Sequence, residues 1–246
     1  VTTIESTTSG FNIGNGTGYL RIDSTAQFVI SNTSTGNIKF RNLLLSGNLS
    51  ANISLPGYPS KLICSTGFET ERPFTFSGQS ILLNGGKYRS PVNIVRYGSY
   101  SDVSTGGNNF YAETTITDSS SHANTFTLCN ANVDTFFANV SFRQIGAGVR
   151  ILPAYQYTTV FHNSLSFTGT DTLFIGNGTG QAILMGGDPT GQIVNASIGN
   201  NPGQKPVSFR KLIIGKLSDP QFPPVNVNIT SPILIKDSLI FSTGVL

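Results

Sequence analysis

Short runs in which apolar and polar residues alternate extend along the whole chain. Runs such as Phe28 to Ile30, Phe74 to Phe76 and Val92 to Val95 are bounded by Gly, Asn, Ser or Pro. Alternation with a period of two is typical of β-strands that bury one face, and the bounding residues are those of tight turns. Since no segment keeps a helical period over ten residues, the pattern predicts an all-β protein.

A weak internal repeat marks the middle of the chain. Phe110, Phe136 and Phe161 are 26 and then 25 residues apart, and strand-like positions follow at four and six residues after each Phe. A unit of about 25 residues with two or three short strands has the size of one coil of a parallel β-helix, in which coils stack at about 4.8 Å. We therefore predict a right-handed parallel β-helix of roughly 25-residue coils, with these Phe side chains as an internal ladder.

Residues 1–246 then form a single β-helical segment of about ten coils, roughly 50 Å long. A β-sandwich is the alternative, because turn signals every 8 to 12 residues also fit that architecture. The chain does not begin with Met, and it stops within a strand-like pattern. We therefore expect a fragment of a longer chain, with further coils of that chain as neighbours.

Composition limits the possible partners. Charged residues make up only 11% of the chain, and the net charge of +3 is scattered without a basic stripe. Nucleic-acid binding requires such a stripe, so it is not expected. No window of about 18 apolar residues offers a membrane span. The 17 Phe and 8 Tyr provide enough apolar surface to fold the chain, which excludes a disordered protein.

Two cysteines, Cys64 and Cys129, lie in strand-like contexts 65 residues apart. Buried thiols that act as small apolar residues are one interpretation, and a disulfide is the other. Two cysteines and two histidines are too few to predict a metal site.

The stretch from Ser101 to Gly187, with STGGNNFYAETTITDSS, ANVDTFFANVSF and NSLSFTGTDTLFIGNGTG, resembles the repeat region of very large Bacteroidetes cell-surface adhesins. The segment from Ile233 to Leu246 resembles the part that closes their β-helical regions. The resemblance implies an extracellular location, export by the type IX secretion machinery, and an adhesive or gliding-related role.

In that group, Asp followed by Ser or Thr and then an apolar or small residue resembles an O-glycosylation motif. The matching acceptors in this chain are Ser24, Thr172 and Ser238. The alternative is that Asp-Ser and Asp-Thr pairs form turns.

Catalytic motifs are not recognisable. The twelve acids rarely pair in sequence, and neither His122 nor His162 lies in a nucleophile or zinc motif. Acids from different coils could still meet in space. The triplet from Gly186 to Asp188 is similar to one fragment of a calcium-binding repeat, so we expect no cofactor, with calcium as a weak alternative.

Aromatic residues are better candidates for contact with a ligand. Tyr155 and Tyr157 alternate and are predicted to project from one strand face, and Tyr97 and Tyr100 cluster near Arg96. Exposed Tyr beside Arg can stack on sugar rings and bind hydroxyl groups. The alternative is that these rings fill or cover the rod.

Three functions are compatible with these patterns. The first is a structural and adhesive rod segment of a secreted cell-surface protein, with an extracellular surface or polysaccharide as its partner. The second is a carbohydrate-active enzyme on the same scaffold, which requires acids and bases grouped on one face. The third is a self-assembling extracellular filament subunit, because strand-like ends invite edge pairing.

Overall fold

The computed structural model is an all-β rod built from stacked coils of parallel strands. It describes residues 2–6, 11–14, 18–23, 27–32, 36–145, 150–169, 171–184, 195–200, 206–215, 226–229 and 231–242. Every strand pairing among these residues is parallel. The predicted parallel β-helix is therefore confirmed, whereas the alternative sandwich would be built from antiparallel sheets.

Eight coils contain three strands each. The first four coils are β1 (Thr2–Ser6), β2 (Phe11–Ile13) and β3 (Leu20–Asp23); β4 (Phe28–Asn32), β5 (Ile38–Phe40) and β6 (Leu43–Ser46); β7 (Ala51–Leu55), β8 (Leu62–Ser65) and β9 (Phe68–Thr70); and β10 (Phe74–Gly78), β11 (Ile81–Asn84) and β12 (Lys87–Tyr88). The next four are β13 (Val92–Arg96), β14 (Asp102–Val103) and β15 (Asn109–Phe110); β16 (Thr114–Asp118), β17 (Thr125–Thr127) and β18 (Asp134–Phe136); β19 (Val140–Gln144), β20 (Arg150–Leu152) and β21 (Thr159–Phe161); and β22 (Leu165–Gly169), β23 (Leu173–Ile175) and β24 (Ala182–Leu184).

Two further turns of the chain contain two strands each. These are β25 (Asn195–Asn200) with β26 (Val207–Gly215), and β27 (Asn226–Ile229) with β28 (Ile233–Ser242). The first part of β26 pairs with β23 and the second part pairs with β24, so β26 runs across two faces of the rod. β28 pairs along β26.

The strands of successive coils line up into three faces. The first face is one ten-stranded sheet from β1 to β27, and the third runs from β3 to β26. The second face is divided into two sheets, β2-β5-β8-β11 and β14-β17-β20. The interruption between β11 and β14 lies beside the candidate site described below.

Coil length varies more than the sequence repeat indicates. Register partners on the first face are 26 residues apart from Thr114 to Val140, but only 18 apart from Phe74 to Val92. The chain absorbs this difference in the corners between strands, because the strands themselves stay in register.

Alternation places one side chain in two inside the rod, where it stacks on its counterparts in the coils above and below. Phe110 stacks on Phe136 with ring centroids 4.6 Å apart, and Phe136 stacks on Phe161 at 5.5 Å. Tyr88 extends this ladder by stacking on Phe110 at 4.7 Å. The sequence repeat did not predict Tyr88 as a member of the ladder. The predicted Phe ladder is thus present and is one ring longer.

Candidate functional site

A recess at one corner of the rod is a candidate site. The corner between the first and second strands has six residues in the third coil (56–61) and five in the fifth (97–101). In the fourth coil the same corner has only two residues, Gln79 and Ser80. The two longer corners therefore reach across the short one and enclose a cavity of about 120 Å³.

Two tyrosine side chains meet over this recess. Tyr58 belongs to the third-coil corner and Tyr100 to the fifth-coil corner, and their ring centroids are 5.5 Å apart with a 22° angle between planes. Tyr58 is 47% exposed and Tyr100 is 64% exposed. The hydrogen bond with Tyr100, together with partial desolvation, raises the pKa of the Tyr58 phenol. The pair offers an aromatic surface with two hydroxyl groups at its edge.

Polar groups line the recess behind the rings. The Lys61 ammonium lies 3.7 Å from Asp102 Oδ1, and the Lys61 side chain is about one-third exposed. The Gln79 amide donates to the Pro56 carbonyl oxygen at 3.2 Å. The Ser80 hydroxyl donates to Asp102 Oδ1. These donors and acceptors are of the kind that bind the hydroxyl groups of a neutral ligand.

A buried charge cluster around Arg96 holds the fifth-coil corner in place. Arg96 Nε donates to Asp102 Oδ2 and Arg96 Nη1 donates to Asp118 Oδ2, each at 2.7 Å. Nη1 also donates to Asn124 Oδ1 at 2.8 Å, and Nη2 donates to the Tyr100 carbonyl oxygen. Burial raises the pKa of the Asp118 carboxyl, and the adjacent Arg96 charge opposes that shift. The guanidinium thereby holds the backbone of Tyr100 in place.

Asp102 also accepts a backbone hydrogen bond at the interruption of the second face. Its Oδ2 accepts the backbone N–H of Ile81 at 3.3 Å, and the Ser104 hydroxyl accepts the N–H of Leu83 at 3.0 Å. Side chains of the fifth coil thus replace backbone carbonyl groups that the broken ladder would otherwise supply. Asp102 therefore connects the recess to the hydrogen bonding of the rod.

The two carboxylates are not arranged as an accessible acid pair. Asp102 is 1% exposed and Asp118 is fully buried, and both bind the same guanidinium. A glycosidase needs two carboxyl groups that reach the glycosidic bond from opposite sides. These two carboxylates instead bind Arg96, which holds the fifth-coil corner.

The structure brings together only some of the predicted ligand-binding residues. Tyr100 lies at the recess, but Arg96 is 0% exposed, so its predicted contact with an outside ligand is wrong because buried carboxylates occupy the guanidinium. Tyr97 is half-buried, and its backbone N–H donates to the Gly78 carbonyl oxygen at 3.0 Å. Tyr58, Lys61 and Asp102 also line the recess, and the sequence patterns did not predict them.

Tyr155 and Tyr157 do not share a strand face. They lie in a bend after β20, and the prediction fails because Pro153 and Ala154, with φ of 53° at Ala154, turn the chain before either tyrosine. Tyr157 is exposed and Tyr155 is half-buried. Tyr155 instead uses its carbonyl oxygen to accept the N–H groups of Gly178 and Gly180.

A second row of rings runs along the outside of the third face. Arg89 lies over the Tyr111 ring at 5.1 Å, Tyr111 stacks on Phe137 at 4.7 Å, and Phe137 stacks on His162 at 4.8 Å. Arg89 and the neighbouring rings thus cover both faces of the Tyr111 and Phe137 rings. The row therefore braces the coils.

The remaining predicted positions are distributed along the rod. Cys64 and Cys129 are buried free thiols, which agrees with the first interpretation of the cysteines. The backbone N–H of Thr172 donates to the Asp171 carboxylate at 2.8 Å, as in a turn, whereas Ser238 lies within β28. Ser24 and the triplet from Gly186 to Asp188 lie outside the described residues.

Three or more His, Cys, Asp or Glu side chains do not come together as a metal-binding group in the described part of the chain. Within the same ranges, no helix is long and apolar enough to cross a membrane. No protein-family model, curated protein or solved structure matches this chain.

Proposed function

We propose that this chain is a structural and adhesive rod segment of a secreted cell-surface protein, and that its corner recess contacts neutral carbohydrate. The observation that carries the proposal is the pair of exposed, stacked rings of Tyr58 and Tyr100, with the fifth-coil corner that bears Tyr100 held by Arg96. Aromatic rings stack on the apolar faces of sugar rings, and neighbouring polar groups bind the hydroxyls.

Rigidity supports this proposal. Two tyrosines that are already ordered lose little conformational entropy when a ligand arrives. Arg96 donates to the Tyr100 carbonyl oxygen, and the Gln79 amide donates to the Pro56 carbonyl oxygen, two residues before Tyr58. A neutral sugar also fits a chain whose charged residues amount to only 11%.

A titration with neutral oligosaccharides tests the recess. Isothermal titration calorimetry on the whole chain, with hexamers of glucose, xylose and N-acetylglucosamine, measures binding by the parent and by Tyr58→Ser and Tyr100→Ser. Tyr157→Ser is the matched control, because Tyr157 is 47% exposed and lies outside the recess. We expect each recess variant to weaken binding about tenfold, since one aromatic–sugar stack is worth on the order of 1 kcal/mol or more.

The adhesive role has a separate test. Beads coated with the chain are expected to attach to surfaces that carry the bound glycan, and free oligosaccharide is expected to release them. Equal binding by the parent and both recess variants would overturn the recess assignment. Failure of the coated beads to attach to any glycan surface would overturn the adhesive role.

A further inference from the structure

A second recess, of about 260 Å³, lies on the outer surface near the far end of the described rod. It is formed by β23, the turn after it, β26 and β28, so it shares no residue with the tyrosine corner. The side chains that matter for its chemistry are Phe174, Ser208, Arg210, Lys236 and Asp237.

Positive charge is concentrated at this second recess. Lys236 Nζ lies 4.8 Å from the centroid of the Phe174 ring, and the Arg150 guanidinium lies 5.9 Å from the same centroid. Arg210 Nε forms an ion pair with Asp237 Oδ2 at 2.6 Å. Arg210, Lys236 and Asp237 line the recess and leave a local charge of +1. Arg150, beside the Phe174 ring, adds a further cation next to the recess.

The Arg210 side chain is already oriented. Nε is held by Asp237, and Nη1 donates to the carbonyl oxygen of Gly178. Two anchored nitrogens fix the plane of the guanidinium, so Nη2 is the group left to bind an incoming oxygen. Pre-oriented guanidinium groups bind carboxylate and sulfate oxygens well, because little side-chain freedom is lost on binding.

Ser208 provides a second, independent observation that points to a polar ligand. Val207 and Phe209 belong to the hydrophobic core, so Ser208 between them points outward into the recess. The residue is only 1% exposed, and its hydroxyl has no hydrogen-bond partner among the described residues. A buried hydroxyl without a partner is unfavourable, and an oxyanion beside Arg210 and Lys236 would accept its hydrogen bond.

We propose that this second recess binds one anionic group of an acidic polysaccharide, either a uronate carboxylate or a sulfate ester. Lys236 and Arg210 neutralise the anion, and Ser208 donates to it. This small number of cations matches one or two anionic groups, whereas a nucleic acid needs a continuous track of cations. The choice of polysaccharide rests on the proposed adhesive role, but the anion site does not.

The test uses the whole chain and defined ligands at low salt. Calorimetric titrations with a galacturonate hexamer, a sulfated galactose hexamer that carries no carboxylate, a neutral glucose hexamer and a 12-base-pair DNA duplex compare the parent with Lys236→Ala, Ser208→Ala and Lys236→Arg. Lys87→Ala is the matched control, because Lys87 is exposed on the fourth coil. Thermal melts of each variant show whether it is folded.

We expect Lys236→Ala to weaken binding of at least one acidic hexamer about tenfold, Ser208→Ala to weaken it about threefold, and Lys236→Arg to retain most of it. Lys87→Ala is expected to leave binding unchanged. The two acidic hexamers separate carboxylate from sulfate recognition. Equal binding of the DNA duplex would overturn the choice of polysaccharide, and binding that none of the recess variants changes would overturn the site.

The titrations and the bead assay together distinguish the two proposals. Loss of glucose-hexamer binding in the tyrosine variants, with no effect of Lys236→Ala on any ligand, would overturn the second recess and support the first. Binding of an acidic hexamer through Lys236, without any attachment of coated beads to glycan surfaces, would overturn the adhesive role and keep the anion site.

Discussion

Asp134 Oδ1 accepts two hydrogen bonds from Asn108, one from its backbone N–H and one from its Nδ2, each 2.8 Å long. Both residues point into the rod and are fully buried. Asn108 Nδ2 also donates to the Leu83 carbonyl oxygen at 3.0 Å. This inner polar pair therefore connects three successive coils.

Asp134 makes the stability of the rod depend on pH. Burial raises the pKa of Asp134 to about 6 from 3.8, although hydrogen bonds from Asn108 oppose the shift. A folded-state pKa above the unfolded value means that the folded state holds the proton more tightly. The resulting stabilisation is present below about pH 4 and is lost as pH rises through about 6.

We expect Asp134→Asn to remove this part of the pH dependence. Relative to the parent, the variant should gain up to about 3 kcal/mol in free energy of unfolding between pH 4 and pH 7. Urea denaturation at several pH values measures the difference, and tyrosine fluorescence can follow it because the chain has no Trp. Parallel pH profiles for the parent and the variant would contradict the expectation. Asp118 shifts in the same direction, but its contribution cancels in this comparison.

The Arg96 cluster predicts a large loss of stability when its cation is removed. Arg96→Met leaves Asp102 and Asp118 buried without their partner, which is expected to cost about 3–5 kcal/mol in free energy of unfolding. Arg89→Met is the matched control, because the Arg89–Glu69 pair is partly exposed and such pairs contribute about 1 kcal/mol or less. Similar losses for both variants, measured by chemical denaturation, would show that loss of the cation from the buried cluster costs no more than loss of an exposed one.

Phe136 and Phe137 are adjacent in sequence, but the Phe136 side chain lies inside the rod and the Phe137 side chain lies outside it. Phe136 packs in the inner ladder between Phe110 and Phe161, whereas Phe137 packs outside between Tyr111 and His162. Phe136→Ala should therefore cost about 3–5 kcal/mol through loss of burial and creation of a cavity. Phe137→Ala should cost about 1 kcal/mol, since its ring is only half-buried. Thermal melts of the two variants compare them directly, and equal losses would contradict the inner-and-outer assignment.

Sequence reasoning predicted the coil because stacked side chains repeat at the coil length. Phe110, Phe136 and Phe161 occupy register positions one coil apart, so their spacing reveals the period. The 18-residue step from Phe74 to Val92 carries no such signal, because the difference is absorbed in turns of varied sequence.

The site was less predictable because it is assembled across coils. Tyr100 and Arg96 are close in sequence, but Tyr58 comes from two coils earlier and reaches Tyr100 only over the short corner at Gln79. The burial of Arg96 depends on Asp118, which is 22 residues away in the next coil. Local patterns contain neither relationship, although a comparison of corner lengths could have pointed to the recess.

Gly98 tests whether the corner itself builds the recess. A Cβ atom at position 98 would lie 1.8 Å from the backbone oxygen of Gln79, so Gly98→Ala must push the fifth-coil corner away from the fourth. We expect a loss of about 1–3 kcal/mol in stability and, because Tyr100 moves with the corner, loss of neutral-oligosaccharide binding. Gly18→Ala is the matched control, because nothing lies within 4 Å of its added Cβ, and it should change stability by less than about 0.5 kcal/mol. Parent-like oligosaccharide binding by a folded Gly98→Ala variant would show that the recess does not depend on this close approach.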